Sequence, residues 1–474
     1  MTVMFWPVMI FMALSLAVGL YTYTQVRGSS HRFAVCGKSM PFFIIGTALL
    51  AQAVDGNATL GNVALTYSNS IWTGLMIPIG LAASLVFVGR FLAAPLNRMN
   101  LLTLPEFFFR RYGRNTELLV SILTICCFTV LIAGNLSAVA WIVSVATGWS
   151  YVNALFFSTV IIVAYTMAGG LYSAIWTDVF QIHIALIGFI ASAIFVIATY
   201  GWSGLLAGVP TSSLSFDGVT KMSAGALPNW AGAIALAFGN AMALDFMERV
   251  FAAKSPETAR NGCYYAATLT VVIGVCASIL GIAGIALLKN PGDPRMVLPL
   301  LASSHMPFWM GAMVFLGVLG ASMSTANGAM LVISLVLTQN MVVRWRKNPL
   351  SDSATLFITR AMAIPTAALA AFMAYVRPEP GILLVIAFDI VFAGCVAPLV
   401  FGVYWRKSNP AAAVTAILAG TGSRVAAHFL TPAALAGLDT LIPPIISLAT
   451  FWIVCTLTQS REPAVAPTDS MELA

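Results

Sequence analysis

Charge is what this sequence has least of. Of its 474 residues only 8% are Asp, Glu, Lys or Arg, against about 25% in a soluble domain. The chain is 60% apolar and its mean hydropathy is +0.93, so a water-soluble fold of this size has nowhere to hide its surface. Histidine is nearly absent. His31, His183, His305 and His428 are scattered, with neither metal spacing nor an acid/base partner, which argues against a membrane enzyme. The seven cysteines show no metal spacing either. Cys126 and Cys127 are adjacent and Cys36 falls in a connector; the set reads as small core residues. Soluble domains are excluded as well, because the longest polar connectors, such as 201–227, are too short to fold alone.

What the chain does have is long apolar runs. A spanning helix needs about 20 such residues, and thirteen candidates, α1 to α13, lie near 4–24, 41–67, 71–95, 117–147, 150–168, 177–200, 228–248, 262–288, 306–340, 354–376, 381–405, 409–430 and 441–459. The chain is thus expected to be an all-α integral membrane protein with a single transmembrane domain. The first charged residue, Arg27, follows the apolar run of α1 instead of preceding it; a cleaved signal peptide has the opposite order, so α1 reads as a retained helix. Of the 23 Lys and Arg, only Lys221, Lys289, Arg295 and Arg377 fall between spans on one side, and Arg90, Arg360 and Arg424 fall inside spans. The rest, from Arg27 and Arg32 to Arg461, crowd the other side. That bias predicts the N-terminus outside and the C-terminus in the cytoplasm. The net charge of +7 reports topology and needs no nucleic acid to explain it.

The polar exceptions carry the chemistry. In "LLAQAVDGNATLGNVALTY" (Leu49 to Tyr67), Asp55, Gly56 and Asn57 interrupt α2 at mid-membrane. In "IALAFGNAMALDFMERVF" (Ile234 to Phe251), Phe238, Gly239 and Asn240 mark a second soft point in α7. Interrupted helices at matching places in two halves point to a transporter with inverted repeats. Free backbone groups at membrane depth are tolerated only where they line a cavity or bind something. The alternative is that these small and polar residues serve close helix packing. In "GASMSTANGA" on α9, Ala321, Ser324 and Thr325 are spaced i, i+3, i+4 and share one helical face. Two hydroxyls and a carbonyl there either present oxygens to a small hard cation or form a packing face. "GGLYSAIWTDVFQ" places a glycine turn ahead of α6 and Asp178 in its first turns, where the carboxylate either caps the helix or serves an ion path. "TLPEFFFRRYG" and "ERVFAAKSPETAR" are basic loops expected along the cytoplasmic surface, their charge mainly fixing topology.

Those segments resemble the sodium/solute symporter family, which includes sodium-coupled proline, sugar and sialic-acid transporters. "GGLYSAIWTDVFQ" is similar to the family's Gly-Gly-Leu…Trp-Thr-Asp…Gln signature, "TLPEFFFRRYG" to its Leu-Pro-Glu…Arg-Tyr-Gly loop, "ERVFAAKSPETAR" to its Gln-Arg…Ala-Ala-Lys loop, and "SMSTANGA" to its Ser-Thr motif. The resemblance implies a LeuT-type core of two inverted five-helix repeats, about 41–200 and 228–405, with one helix before it and two after. It implies sodium as the co-transported ion, no other cofactor, and a site between α2 and α9: backbone carbonyls of Ala53, Gly56 and Ala321, hydroxyls of Ser324 and Thr325. Asp55 matches an acidic position that supports coupling in the proline-transporting branch, and Asp178 the signature aspartate on the ion's path. Two departures stand out. Glu248 occupies a position where the family usually has glutamine, and about one extra turn separates "AFGN" from "ERVF".

The expected function is therefore inward sodium movement coupled to uptake of a small polar organic solute by alternating access across the cell membrane. A cation near Asp55 is expected to keep it ionised. Candidate solute contacts are Asn57, Trp141, Phe238, Asn240 and Asp389, in a pocket between α2, α4, α7, α9 and α11. Proton coupling through Asp55 or Asp178, a passive channel, and a transporter-like sensor with a separate signalling partner are the rival readings. The solute and the oligomeric state stay open.

Overall fold

The computed structural model describes residues 3–26, 38–289, 291–348 and 350–458. Arg27, His31, Arg32, Cys36, Arg461 and the final residue of the last expected span, 459, lie outside the described residues. The described residues are overwhelmingly helical, and their β structure is a single isolated bridge between Met40 and Ala253. Among the described residues, nine helices are long and apolar enough to cross a membrane, or up to twelve if each of three bent pairs is one span. Phe5–Val26, which forms α1, is a further apolar helix.

Local chemistry sets many of the helix ends. Ser70, Ser150, Ser255, Ser351 and Asn409 each cap the helix that follows, accepting a backbone N–H with the side-chain oxygen. Proline opens the helices Pro256–Leu287 (α8) and Pro410–Leu430 (α12). Gly148 ends α4, Arg114–Thr147, with φ 76°. The expected glycine turn between α5 and α6 is a kink at Gly170 (φ 57°, ψ −143°), which separates Tyr151–Ala168 from Ala174–Tyr200.

Three spans are broken. α2 divides into α2a, Phe42–Ala53, and α2b, Gly56–Ser68, bent by 46°. α7 divides at Ala243: its first part is Ala226–Met242, and its second, α7b, is Leu244–Ala252, again at 46°. The third break was not anticipated. α11, expected as one span over 381–405, is Pro380–Phe392 plus Val396–Tyr404, bent by 50°. Its cause is Pro398, which has no N–H to offer the carbonyl four residues back, Gly394. That carbonyl accepts the Ser447 hydroxyl of α13 (Leu438–Leu457) instead, at 3.2 Å.

α9, Phe308–Leu335, lies at the centre. It packs against α4, α5–α6 and α10 (Asp352–Val376), and the Tyr165 hydroxyl of α5 donates to Met323 O at 2.5 Å. Its last turns run on as a π-helix, Val336–Val343. α1 lies along α5–α6, and α12 pairs with α13 at the edge. Large apolar side chains such as Phe156, Phe372, Leu430 and Trp452 are exposed on the periphery, as a lipid-facing surface requires. Cys127, Cys263, Cys276, Cys395 and Cys455 are buried, whereas Cys126 is exposed.

Candidate ion and solute site

The break in α2 is two residues long. Val54 (φ −108°, ψ 67°) and Asp55 (φ −90°, ψ −176°) leave the helical region between Ala53 and Gly56. The last carbonyls of α2a lose their i+4 amides and the first amides of α2b lose their acceptors. Asp55 answers the second need. Its Oδ1 accepts the Ala58 N–H at 2.8 Å, and its Oδ2 accepts the amides of Asn57 at 2.9 Å and Asn135 at 2.7 Å. The buried carboxylate thus caps the positive end of α2b and is held by three N–H donors. Gly56 is required by packing: a Cβ there would overlap Ser322 Oγ of α9 and sit 2.7 Å from Ala138 Cβ of α4.

α9 meets the same break. The Thr325 hydroxyl donates to Ala51 O at 3.4 Å. The Ser324 hydroxyl donates to Asp178 Oδ1 and accepts the Gln52 amide at 3.1 Å. A hydroxyl has one proton and two lone pairs, so both oxygens keep acceptor capacity beside the opened end of α2a. Ala53, Gly56, Ala321, Ser324 and Thr325 are all buried, and the seam between the two helices is made by Thr325 with Ala51, Ser324 with Gln52, and Gly56 with Ser322.

Beneath that seam lies a buried ionic group. Arg249 Nη2 pairs with Asp178 Oδ2 at 2.8 Å, both side chains at 0% exposure. Gln52 Nε2 reaches the same carboxylate at 3.3–3.4 Å, and Arg249 Nη1 donates to Asp245 O at 3.2 Å. Gly328 of the α9 motif makes room: a Cβ there would lie 3.2 Å from the guanidinium and 3.0 Å from Gln52 Oε1. This corrects the reading of "ERVFAAKSPETAR" as a surface loop whose charge fixes topology. Asp245, Glu248 and Arg249 are buried in α7b, because helix resumes at Leu244 and carries them inward. The extra turn noted in the sequence is spent on the break itself, as a 3-10 turn over Asn240–Met242 followed by extended Ala243.

The structure brings the α2 break against the α9 motif: Thr325 reaches Ala51 O, Ser324 joins Gln52 and Asp178, Gly56 faces Ser322, and Asn57 donates to Asp55; Ala53 lies at the end of α2a and Ala321 one turn before Ser324 and Thr325 on α9. It places the other candidates elsewhere. Trp141 lies toward the C-terminal end of α4, 5.0 Å beneath the Arg295 guanidinium and 5.0 Å from the Tyr151 ring. Phe238 packs against Phe87 and Phe392 and is 39% exposed. Asn240 spends its amide on Leu236 O at 2.9 Å, in a turn that packs on α3 (Ile71–Phe87) and α11. Asp389 joins α11 to α12 and α13, through Arg424 at 2.6 Å and Thr440 at 3.1 Å, so its charge is already matched.

Sequence reasoning passed over Gln52, Asn135, Asp245 and Arg249. The first two were visible as polar residues inside apolar spans. The i, i+4 pair Asp245–Arg249 was visible too, once helix is allowed to resume after the break.

Comparison with known proteins agrees with this geometry. The model of the Sodium:solute symporter family matches residues 33–420. The chain is similar to the Sodium/glucose cotransporter of Vibrio parahaemolyticus, 22% identical over 86% of this chain and 82% of that protein. It is similar to the Sodium/proline symporter of Haemophilus influenzae, 23% identical over 88% and 86% respectively. Among solved structures, the substrate-bound outward-open state of a Na+-coupled sialic acid symporter superposes with a TM-score of 0.83 at 16% identity, covering 98% of this chain and 100% of that one. With its family model matched over most of the chain and its fold shared end to end, the protein belongs to the sodium:solute symporter family.

Proposed function

We propose that this protein is a secondary active symporter, one transmembrane domain of thirteen spans, that couples inward sodium movement to uptake of a small polar organic solute. The core repeats are assigned to about 41–200 and 228–405, flanked by α1, α12 and α13, with the N-terminus outside and the C-terminus in the cytoplasm. Supporting the inverted repeat, α2 and α7 stand five spans apart and bend by the same 46°. Members of this family are transporters, and no catalytic chemistry is assigned.

The observation that carries the reading is the α2–α9 seam. Ser324 and Thr325 point their protons at Asp178 and Ala51, which leaves oxygen lone pairs beside carbonyls freed by the break. We assign sodium to those hydroxyls together with the carbonyls of Ala53, Gly56 and Ala321. Binding there holds α2a to α9. If sodium raises solute affinity, solute raises sodium affinity by the same factor. The membrane potential adds about 2.3 kcal/mol per charge per 100 mV crossed. Asp55 holds the break open by capping α2b, and Asp178 links the ion seam to α7b. The solute is assigned to Asn57 beside the α2 break and to Trp141; Phe238 and Asn240 are secondary candidates.

The test is purified protein in liposomes with an inward sodium gradient and radiolabelled proline, glucose, sialic acid and choline. Accumulation above equilibrium that vanishes when sodium is equal on both sides is expected for at least one solute of this class. Flux of these solutes that only ever reaches equilibrium, with or without the gradient, would refute symport.

A further inference from the structure

The Asp178–Arg249 pair leaves two buried carboxylates over, Asp245, which accepts the Phe246 N–H at 2.8 Å, and Glu248. Glu248, on α7b, is 1% exposed, and neither of its carboxyl oxygens has a hydrogen-bond partner. Its nearest cation is Arg249, with Nη1 3.9 Å from Oε2, too far for a hydrogen bond. That guanidinium is already committed to Asp178 and to Asp245 O.

Every other charge near Glu248 is spent or distant. On its own helix Asp245 has the same sign, one turn back. α2a and α9 bring no charged residue to α7b. The short helix Ala93–Arg98 and the start of α8 bring Arg98, Glu257 and Arg260, and Lys254 follows α7b, all exposed. The helix Leu104–Tyr112 brings Glu106 and Arg110, which pair with each other at 2.6 Å, and Arg111, which donates to the carbonyls of Gly402, Trp405 and Arg406. A desolvated, unbonded carboxylate is an expensive arrangement, whereas a neutral carboxylic acid is tolerable. The one guanidinium within ion-pair distance, Arg249, is shared with Asp178, and a proton on Glu248 would remove the charge that is left.

We propose that Glu248 is a proton-binding site that gates the movement of α7b. In the closed form the carboxyl is protonated. When α7b swings away from α2a and α9, water reaches the group, the O–H bond breaks, and the proton leaves to that water. Closure requires the proton back. Uptake and release occur on the same face, so no proton is carried across and the sodium stoichiometry is untouched. The inference rests on alternating access as proposed above, with α7b as a moving part.

The experiment uses the full chain in lipid nanodiscs with sodium present, and needs no solute, so it stands apart from the liposome test. Hydrogen exchange over 244–253, corrected for intrinsic rates, reports the opening of α7b. An opening that releases one proton becomes about tenfold more favourable per pH unit over the range in which the closed form keeps the proton and the open form loses it. That slope is expected in the wild type between pH 6 and pH 8, kept in Glu248→Asp, and abolished in Glu248→Gln. A wild-type profile without slope, or the same slope in Glu248→Gln, would overturn the proposal. Infrared spectroscopy covers the case in which Glu248→Gln does not fold. The wild type should show a protonated carboxyl stretch at neutral pH that shifts in Glu248→Asp; its absence from the wild type overturns the proposal independently of any variant.

Discussion

The two broken helices at the centre bend by the same 46° yet are built differently. α2 breaks over two residues and repairs itself: Asp55 caps α2b, and Asn57 and Asn135 steady the cap. α7 breaks through a 3-10 turn, and no side chain caps α7b at Ala243. Its stability is borrowed, through Arg249, from Asp178 on α6. One hinge is capped by its own Asp55, with Asn135 of α4 in support, and the other is tied down only through a distant span. The first is therefore robust, whereas the second depends on partners and on the charge state around it.

The largest effect should come from cutting the borrowed support. Arg249→Met leaves Asp178 buried without its partner, a loss of about 3–5 kcal/mol. Thermal unfolding in detergent should show it, and adding Asp178→Asn should return a large part. If the double variant is as unstable as the single, the pair is not what holds α7b. Next comes the tight packing of the self-capped hinge. Gly56→Ala should cost about 1–3 kcal/mol through its overlap with Ser322 and Ala138, with partial recovery on adding Ser322→Gly.

The caps separate the hinges directly. Asp55→Ala removes a real cap, worth about 1 kcal/mol. Asp245→Asn removes no cap and relieves a local excess of buried negative charge, so its melting temperature should match or exceed the wild type. Equal losses in the two variants would erase the distinction drawn here. A smaller, local effect is expected at the ion seam. Ser324→Ala or Thr325→Ala should raise the sodium concentration for half-maximal uptake, and wild-type sodium dependence in both would remove the α9 assignment.

The least effect is expected at the outer loop. Burial pushes the Asp293 carboxyl up, but hydrogen bonds from the Arg295 side chain and backbone outweigh it and hold the group below its usual range. A lowered carboxyl stabilises above its unfolded value, and that contribution fades as pH falls through the folded one. Acidifying the solution below about pH 4 should loosen Arg295 from Trp141, 5.0 Å away. The fluorescence difference between wild type and Trp141→Phe would reveal it; a difference signal constant down to pH 3 would not fit.

Legibility in the sequence followed the range of the physics. Asp55, Gly56, Ser324 and Thr325 were found because a polar residue in an apolar run needs a reason, and helical spacing puts Ser324 and Thr325 on one face. The glycine turn at Gly170 is equally local. Asp389 was misplaced because a span's polar residue does not say which neighbour it faces; only the packing of α12 and α13 revealed Arg424 and Thr440 as its partners. Arg249 looked like topology because basic residues near span ends usually are. The break at Pro398 was available from its missing amide but was not used.

Apolar length and breaker residues determined by themselves that this chain enters a membrane and interrupts α2 and α7 there, and hydroxyl spacing that Ser324 and Thr325 share one face, since each depends on neighbours within a turn or two. The tertiary structure alone decided which charges meet: Asp178 with Arg249, Ser324 with Gln52, Asp389 with Arg424, and Glu248 with no hydrogen-bond partner. Coulomb and hydrogen-bond energies depend on distance through space, and that distance is set only when the spans pack.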